Sequence, residues 1–335
     1  MKPTDRLQLL IAAQVLSLAA ALPATALDRS REDVRAFEEE MERNNGFDEA
    51  WLGALLGQAE SLPRIIELMS RPAERVKPWH EYRDHFLTPQ RIEEGARFWE
   101  AHRAKLAEVE SQTGVAQQVI VAILGVETFY GRITGKIRVI DALSTLAFDY
   151  PPRSSYFRAE LEQFLLLTRE EAVDPAVATG SYAGAMGYPQ FMPRSYRAYA
   201  VDGDADGRRD LWSSTDDVIA SVANYLAEHG WRAGEPVVVP ATLDFPDAEG
   251  LVAGGIVTDE TVGSLRAKGL EFDTTLADDA PALFIDVAGN DGPELRAGFH
   301  NFAVITRYNR SVLYALAVND LGEAIEKRVA EDAGQ

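Results

Sequence analysis

From Val119 to Val126 the chain runs Val-Ile-Val-Ala-Ile-Leu-Gly-Val, with no polar side chain at any position. With its flanks, Val115 to Thr128 reads as one mostly apolar helix, interrupted early by Gln117 and Gln118. A helix that is apolar on every side cannot lie on a surface and must be packed all round. The rest of the chain therefore has to supply neighbours, and most of it is patterned to do so. Val34, Phe37 and Met41 recur at helical spacing, and so do Trp51, Leu52, Leu55 and Leu56 after the break at Asn44-Asn45-Gly46. Thr88-Pro89 reads as a cap followed by proline at the first helical position, opening a helix that carries Ile92, Ala96, Phe98, Trp99, His102 and Leu106. Further helices are expected over 156–169, 193–200, 215–228 and 311–329. After Trp231 the texture changes. The runs 236–240, 283–287 and 302–306 read as strands separated by Gly, Asp and Thr. The expected organisation is mainly α: residues 27–115 a helical domain, 116–235 the core, 236–300 a small β-containing insert and 301–335 a return to the core.

The N-terminus reads as a secretory signal. Lys2 and Arg6 precede an apolar run from Leu7 to about Leu22, and Ala24-Thr25-Ala26 fits a signal-peptidase site. Residues 1–26 are thus expected to direct export, to the periplasm or beyond, with the mature chain beginning near Leu27. A buried N-terminal helix and a retained anchor are the alternatives. No later segment has the roughly 18 uninterrupted apolar residues of a membrane span. The 335 residues contain no cysteine, which excludes disulfides, thiol chemistry and a lipidated N-terminal cysteine, so no lipid anchor is expected. The net charge of −20, unrelieved by any Lys/Arg cluster, argues against nucleic acid as a partner.

Two local features carry chemistry. The first is Glu127, one carboxylate at the end of the apolar run, followed at Gly131 by a residue that lets the chain turn out of the helix. Burial disfavours a charged carboxylate and raises its pKa, so that it can donate a proton near neutral pH. A glutamate that simply reaches solvent from a helix end has the same local sequence. Most glycosidases flank the scissile bond with two carboxylates, and no partner lies on this helix. Glu160, Glu162, Glu170 and Glu171 lie downstream, the first two on the polar side of a helix that reads as solvated. The second feature is Asp202-Gly-Asp204-Ala-Asp206-Gly-Arg208-Arg-Asp210. Carboxylates fall at positions 1, 3, 5 and 9 of a calcium-type loop, with glycine at position 6 and the Arg208 carbonyl at position 7. Position 12 is Ser213, so Asp216 or Asp217 would have to close the loop. A surface turn rich in Asx residues is the alternative.

Read together, these segments carry a resemblance. Gly125-Val-Glu127-Thr-Phe-Tyr-Gly131-Arg132 resembles the catalytic segment of lytic murein transglycosylases of the membrane-bound lytic transglycosylase B (MltB) type, glycoside hydrolase family 103. Asp141–Pro151, Gly180–Pro193, the acidic loop with Leu211-Trp212, Ser221–Tyr225, Asn301-Phe302 and Ile305–Asn309 follow in the family's order. The resemblance implies a lysozyme-like catalytic core and peptidoglycan glycan strands as the binding partner, with protein partners left open. It implies cleavage between N-acetylmuramic acid and N-acetylglucosamine without water, leaving a 1,6-anhydro ring. Glu127 would be the catalytic acid and then the base. Gln190 would hydrogen-bond an acetamido group, Ser181 help orient Glu127, Tyr225 and Tyr308 wall the cleft, and Asn301 add a polar contact. Asp202, Asp204, Asp206, Asp217 and the Arg208 carbonyl would hold a structural calcium, with no cofactor for catalysis. Pro189 and Arg194 depart from the pattern, where glycine and serine are common. A hydrolytic muramidase and a non-catalytic glycan-binding protein are the competing readings.

Overall fold

A computed structural model describes residues 24–70, 77–243, 253 and 255–334. The signal segment called over 1–26 falls largely outside them. Of that segment, Thr25–Ala26 forms a short antiparallel pair with Glu60–Ser61, and the Leu27 N–H donates to the Ala59 carbonyl at 2.9 Å. Among the described residues no helix is long and apolar enough to cross a membrane.

The chain divides into two compact units. The described residues of 77–130 and 222–334 form one, and those of 24–70 and 131–221 form the other. In the first, the helix Gln117–Thr128 is buried along its length, with Val119 to Val126 at most 4% exposed. The helices Pro89–Ala101 and Val312–Ala333 pack against it. The former starts where the sequence placed it: Thr88 Oγ1 accepts the Arg91 N–H (3.2 Å), and Pro89 occupies the first turn. An apolar helix thus obtains its neighbours from elements on both sides of it in the chain. Each fully buried Leu or Ile contributes about 1.5–3 kcal/mol.

The same unit holds a five-stranded antiparallel sheet. Its strand order is Glu260–Thr261, Pro281–Ala288, Pro293–Phe299, Val238–Leu243, Leu270–Glu271. Leu283 pairs with Gly298 and Phe284 with Ala297. Val262 and Leu265, from the short helix Val262–Ala267, close a core with Leu270, Phe284 and Phe299. The run 302–306, read above as a strand, lies instead in the helix His300–Tyr308. Phe302, Ile305 and the polar Thr306 are buried at helical spacing. A five-residue β-branched run does not distinguish the two periods, and packing decided.

In the second unit the helices Glu32–Asn45, Glu49–Gly57, Val139–Phe148, Ser154–Glu170 and Pro193–Tyr199 surround a core that includes Phe37, Leu143, Phe157, Leu161 and Phe164. Asp48 caps the second of these, accepting the Trp51 N–H at 2.7 Å. Phe37 meets Phe148 edge-on, with ring centroids 5.8 Å apart.

Candidate active site

Glu127 sits in the last turn of the buried helix. Immediately after it the backbone turns left-handed at three successive residues: Phe129 (φ 52°), Tyr130 (φ 59°) and Gly131 (φ 85°). Two of these are aromatic, and each non-glycine residue in this region costs about 1–2 kcal/mol. Strain of this kind persists only where the surroundings fix it. Here Tyr130 donates its hydroxyl to the Arg91 carbonyl (2.8 Å) and stacks on Phe98 at 5.8 Å, while the Arg91 guanidinium lies 5.0 Å from the Phe129 ring. The helix therefore ends abruptly, with Glu127 at its rim.

The Glu127 carboxylate is half-buried and accepts one hydrogen bond, from the Tyr314 hydroxyl at 2.7 Å. Burial pushes its pKa up to about 7, and the Tyr314 bond, which favours the charged form, pulls the other way. No carboxylate among the described residues contributes to that shift. The group can therefore hold or release a proton near neutral pH. Tyrosines gather around it. Tyr314 is fully buried, stacks on Tyr308 at 6.4 Å, and Tyr308 meets Tyr225 edge-on at 4.9 Å. Tyr82, Tyr308 and Tyr314 are all held above the ordinary phenol range, first by burial and then by the Glu127 charge. Tyr82 and Tyr314 were not singled out from sequence: Tyr314 sits among apolar neighbours and reads locally as core, and Tyr82 lies between Glu81 and Arg83 in a short polar stretch with no local mark of a site.

Two other site candidates of this unit are committed to the protein itself. Tyr225 is 8% exposed, donates its hydroxyl to the Arg307 carbonyl (2.7 Å), and stacks on His229 at 4.2 Å. Asn301, expected to offer a polar contact, is wholly buried. Its Oδ1 accepts the Arg232 N–H (2.9 Å), and its Nδ2 donates to the carbonyls of Arg232 (2.8 Å) and Glu235 (2.9 Å). It clamps the turn that leads into the sheet.

Ser181 and Gln190 lie in the second unit, on the turn Gly180–Phe191. Ser181 Oγ accepts the N–H groups of Ala183 (3.3 Å) and Ala185 (3.0 Å), which folds the turn. Gln190 is itself left-handed (φ 52°), and its Nε2 donates to the carbonyls of Thr134 (3.1 Å) and Gly187 (2.9 Å). Both amide hydrogens are spent on backbone, so the Oε1 acceptor is the atom this geometry presents. The turn packs on the segment that follows Tyr130: a Cβ at Gly131 would lie 2.2 Å from the Tyr188 ring, so only glycine fits there.

The acidic loop is in the same unit. Oxygens of Asp202, Asp204 and Asp217 converge within 4.8 Å of one another. Asp217, 1% exposed, is the late carboxylate turned into the loop: Oδ1 accepts the Gly203 N–H (2.7 Å) and Oδ2 that of Asp210 (2.6 Å). Burial lifts the Asp217 pKa against the pull of those N–H groups. Asp206 accepts the Arg208 N–H at 2.8 Å.

Glu160, read above as part of a solvated face, is 2% exposed and accepts the Arg194 N–H (3.0 Å) in the first turn of Pro193–Tyr199. Burial raises its pKa, and the Arg194 N–H opposes the shift. It serves as an anchor for that helix N-terminus, where a negative charge is favoured. Arg194, one of the departures from the family pattern, contributes through its backbone and keeps a long 3.9 Å ion pair.

A mainly α fold with a small sheet and a single perturbed carboxylate ending a buried helix defines a lysozyme-like class of glycan-cleaving enzyme. Comparison with known proteins specifies it further. The transglycosylase SLT domain matches residues 29–323, and the chain belongs to that family, whose members are lytic transglycosylases. It is 41% identical over 302 residues to the membrane-bound lytic murein transglycosylase B of Escherichia coli (strain K12), covering 88% of this chain and 82% of that one. Among solved structures, the catenated lytic transglycosylase SltB1 from Pseudomonas aeruginosa is 49% identical, with a TM-score of 0.86 over 89% of this chain and 98% of that one. The Escherichia coli lytic transglycosylase Slt35 in complex with calcium is 40% identical, with a TM-score of 0.84 over 92% and 97%.

Proposed function

We propose that this chain cleaves the β-1,4 bond between N-acetylmuramic acid and N-acetylglucosamine in peptidoglycan, with Glu127 acting first as acid and then as base. The observation that carries the reading is the Glu127 carboxyl, lifted to about 7 by burial and held by one tyrosine hydroxyl. A general acid of this pKa is matched to work near neutral pH.

The protonated Glu127 gives its proton to the glycosidic oxygen as the C1–O4 bond breaks. Positive charge at C1 is met by the carbonyl oxygen of the muramoyl N-acetyl group, as in substrate-assisted glycosidases. The carboxylate left behind accepts the proton of the muramoyl C6 hydroxyl, whose oxygen bonds to C1 and displaces the acetamido oxygen. No water is consumed, and Glu127 ends protonated as it began. An internal nucleophile carries its entropy advantage with it, so a second carboxylate is not needed. Tyr314 orients the acid and steadies its ionised form between the two proton transfers. Tyr308 walls the sugar that carries the new ring.

Gln190 accepts from a glycan acetamido N–H through Oε1, in the orientation its two backbone bonds fix. Ser181 keeps the turn that presents it. The hard oxygen donors Asp202, Asp204 and Asp217, with Asp206 and the Arg208 carbonyl on the same loop, fit a structural calcium in chemistry and spacing. When bound, it neutralises the crowding of carboxylates. Export through residues 1–26, with cleavage after Ala26, would bring the enzyme to its substrate. The test is Glu127→Gln: lysis of purified sacculi should fall by about 10²–10⁴-fold, the range of general acid–base catalysis. Lysis that survives the change would remove Glu127 from the mechanism.

A further inference from the structure

The end of the acidic loop is fastened to the turn that presents Gln190. Asp217 fixes Asp210 through Oδ2, and the next two residues reach out of the loop. The Leu211 carbonyl accepts the Tyr188 N–H at 2.9 Å. Gly187 (φ 67°) lies so close to that carbonyl that a Cβ would come within 2.3 Å of it. Gly187 in turn accepts from the Gln190 side chain at 2.9 Å. Trp212 Nε1 donates to the Thr179 carbonyl at 2.9 Å, on the strand Thr179–Gly180 that opens the turn. Below both, the Tyr196 hydroxyl donates to the Arg209 carbonyl and accepts the Leu211 N–H (3.1 Å), and its ring lies 5.6 Å from that of Trp212. Residues 210–212 thus hold the turn at its entry, Thr179, and at its apex, Gly187–Tyr188.

We propose that the loop is a positioning device for glycan recognition. Gathering Asp202, Asp204 and Asp217 around a divalent cation sets residues 210–212, and Leu211 and Trp212 transmit that setting to the turn that aims Gln190. The inference rests on the glycan role of Gln190 and the calcium fit of the loop proposed above. Without a cation the carboxylates repel one another, and only their hydrogen bonds to loop N–H groups oppose that repulsion. Leu211 and Trp212 are positioning residues, since neither is assigned a contact with the substrate or the cation.

Coupling of this kind is reciprocal: if the cation tightens the glycan, the glycan tightens the cation by the same factor. The test uses the full-length Glu127→Gln protein, which binds without turnover. Calorimetry measures affinity for chitotetraose, a soluble acetamido sugar, in calcium and in chelator, and affinity for calcium with and without the sugar, all well below the melting temperature. Calcium should raise the chitotetraose affinity about fivefold or more, with the equal reciprocal gain. Adding Trp212→Phe, which removes the Nε1 donor and keeps a ring against Tyr196, should leave sugar-free calcium affinity in place and bring both factors towards one. Calcium that binds and raises the melting temperature while sugar affinity stays the same would overturn the proposal and leave the loop a structural staple. No calcium binding at all would overturn it through the metal reading, and no sugar binding in either condition through the Gln190 reading. If the Trp212 variant does not fold, the two reciprocal factors of the parent protein decide alone.

Discussion

Replacing Glu127 with glutamine should stabilise the protein while disabling it, and the gain should depend on pH. Burial moves the carboxyl from the 4.5 of an ordinary glutamate to about 7. In the folded state it therefore keeps its proton to higher pH than in the unfolded chain. Between those two values the unfolded chain sheds the proton first, so stability falls as pH rises, and the loss is complete above about 7. At 1.36 kcal/mol per pH unit, the raised pKa costs the folded state about 3 kcal/mol at pH 8 and about 1 kcal/mol at pH 5.5. Glutamine carries no charge and can still accept the Tyr314 hydroxyl through Oε1. With an unfolding entropy near 2.1 cal/mol/K per residue, the gain at pH 8 corresponds to about 4–5 °C in melting temperature. Calorimetric or fluorescence melts of both proteins at pH 8 and 5.5 measure it. A glutamine variant that melts no higher at pH 8, or whose gain is the same at both pH values, would mean that Glu127 is solvated and ordinary, and the acid assignment would lose its physical basis.

Tyr314→Phe removes a hydrogen bond to the charged form of Glu127. With about 1.5 kcal/mol for such a bond and 1.36 kcal/mol per pH unit, the alkaline limb of kcat/KM should move up by about one pH unit; an unmoved limb would show that the bond does not tune the acid. Asn301→Ala removes a wholly buried amide together with the partner of the Arg232 N–H and of the Arg232 and Glu235 carbonyls, so it should cost about 2–4 kcal/mol in thermal stability. KM for soluble muropeptides should stay unchanged, and a raised KM with an unaltered melting temperature would return Asn301 to the substrate. Calcium at a hundred times its Kd should stabilise by about 2.7 kcal/mol, an effect that Asp217→Ala abolishes. Melts indifferent to calcium and chelator would contradict the metal reading.

Much of this architecture was legible in the residues because local chemistry and tertiary packing agree. The cap at Thr88, the helix 215–228 and the strand around 283–287 follow from patterns a few residues long. The run 302–306 was misread because Phe302, Val304 and Ile305 satisfy the strand preference locally, whereas Phe302, Ile305 and Thr306 pack as one helical face. Glu160 sits on a helix with a polar side in sequence, and only the helix Pro193–Tyr199 laid over it makes it buried. Glu127 itself was visible, as a carboxylate closing an apolar run. Its hydrogen-bond partner was not, since Tyr314 lies 187 residues away and has no local mark distinguishing it from core. The left-handed pair Phe129-Tyr130 was equally hidden, because only Gly131 advertises such a backbone.

The most direct test of the account is mass spectrometry of the sugars released from purified peptidoglycan. Products should end in 1,6-anhydromuramic acid, each lighter by one water than its hydrolysed counterpart. Products with reducing muramic ends would contradict it and require a water-activating group that works with Glu127.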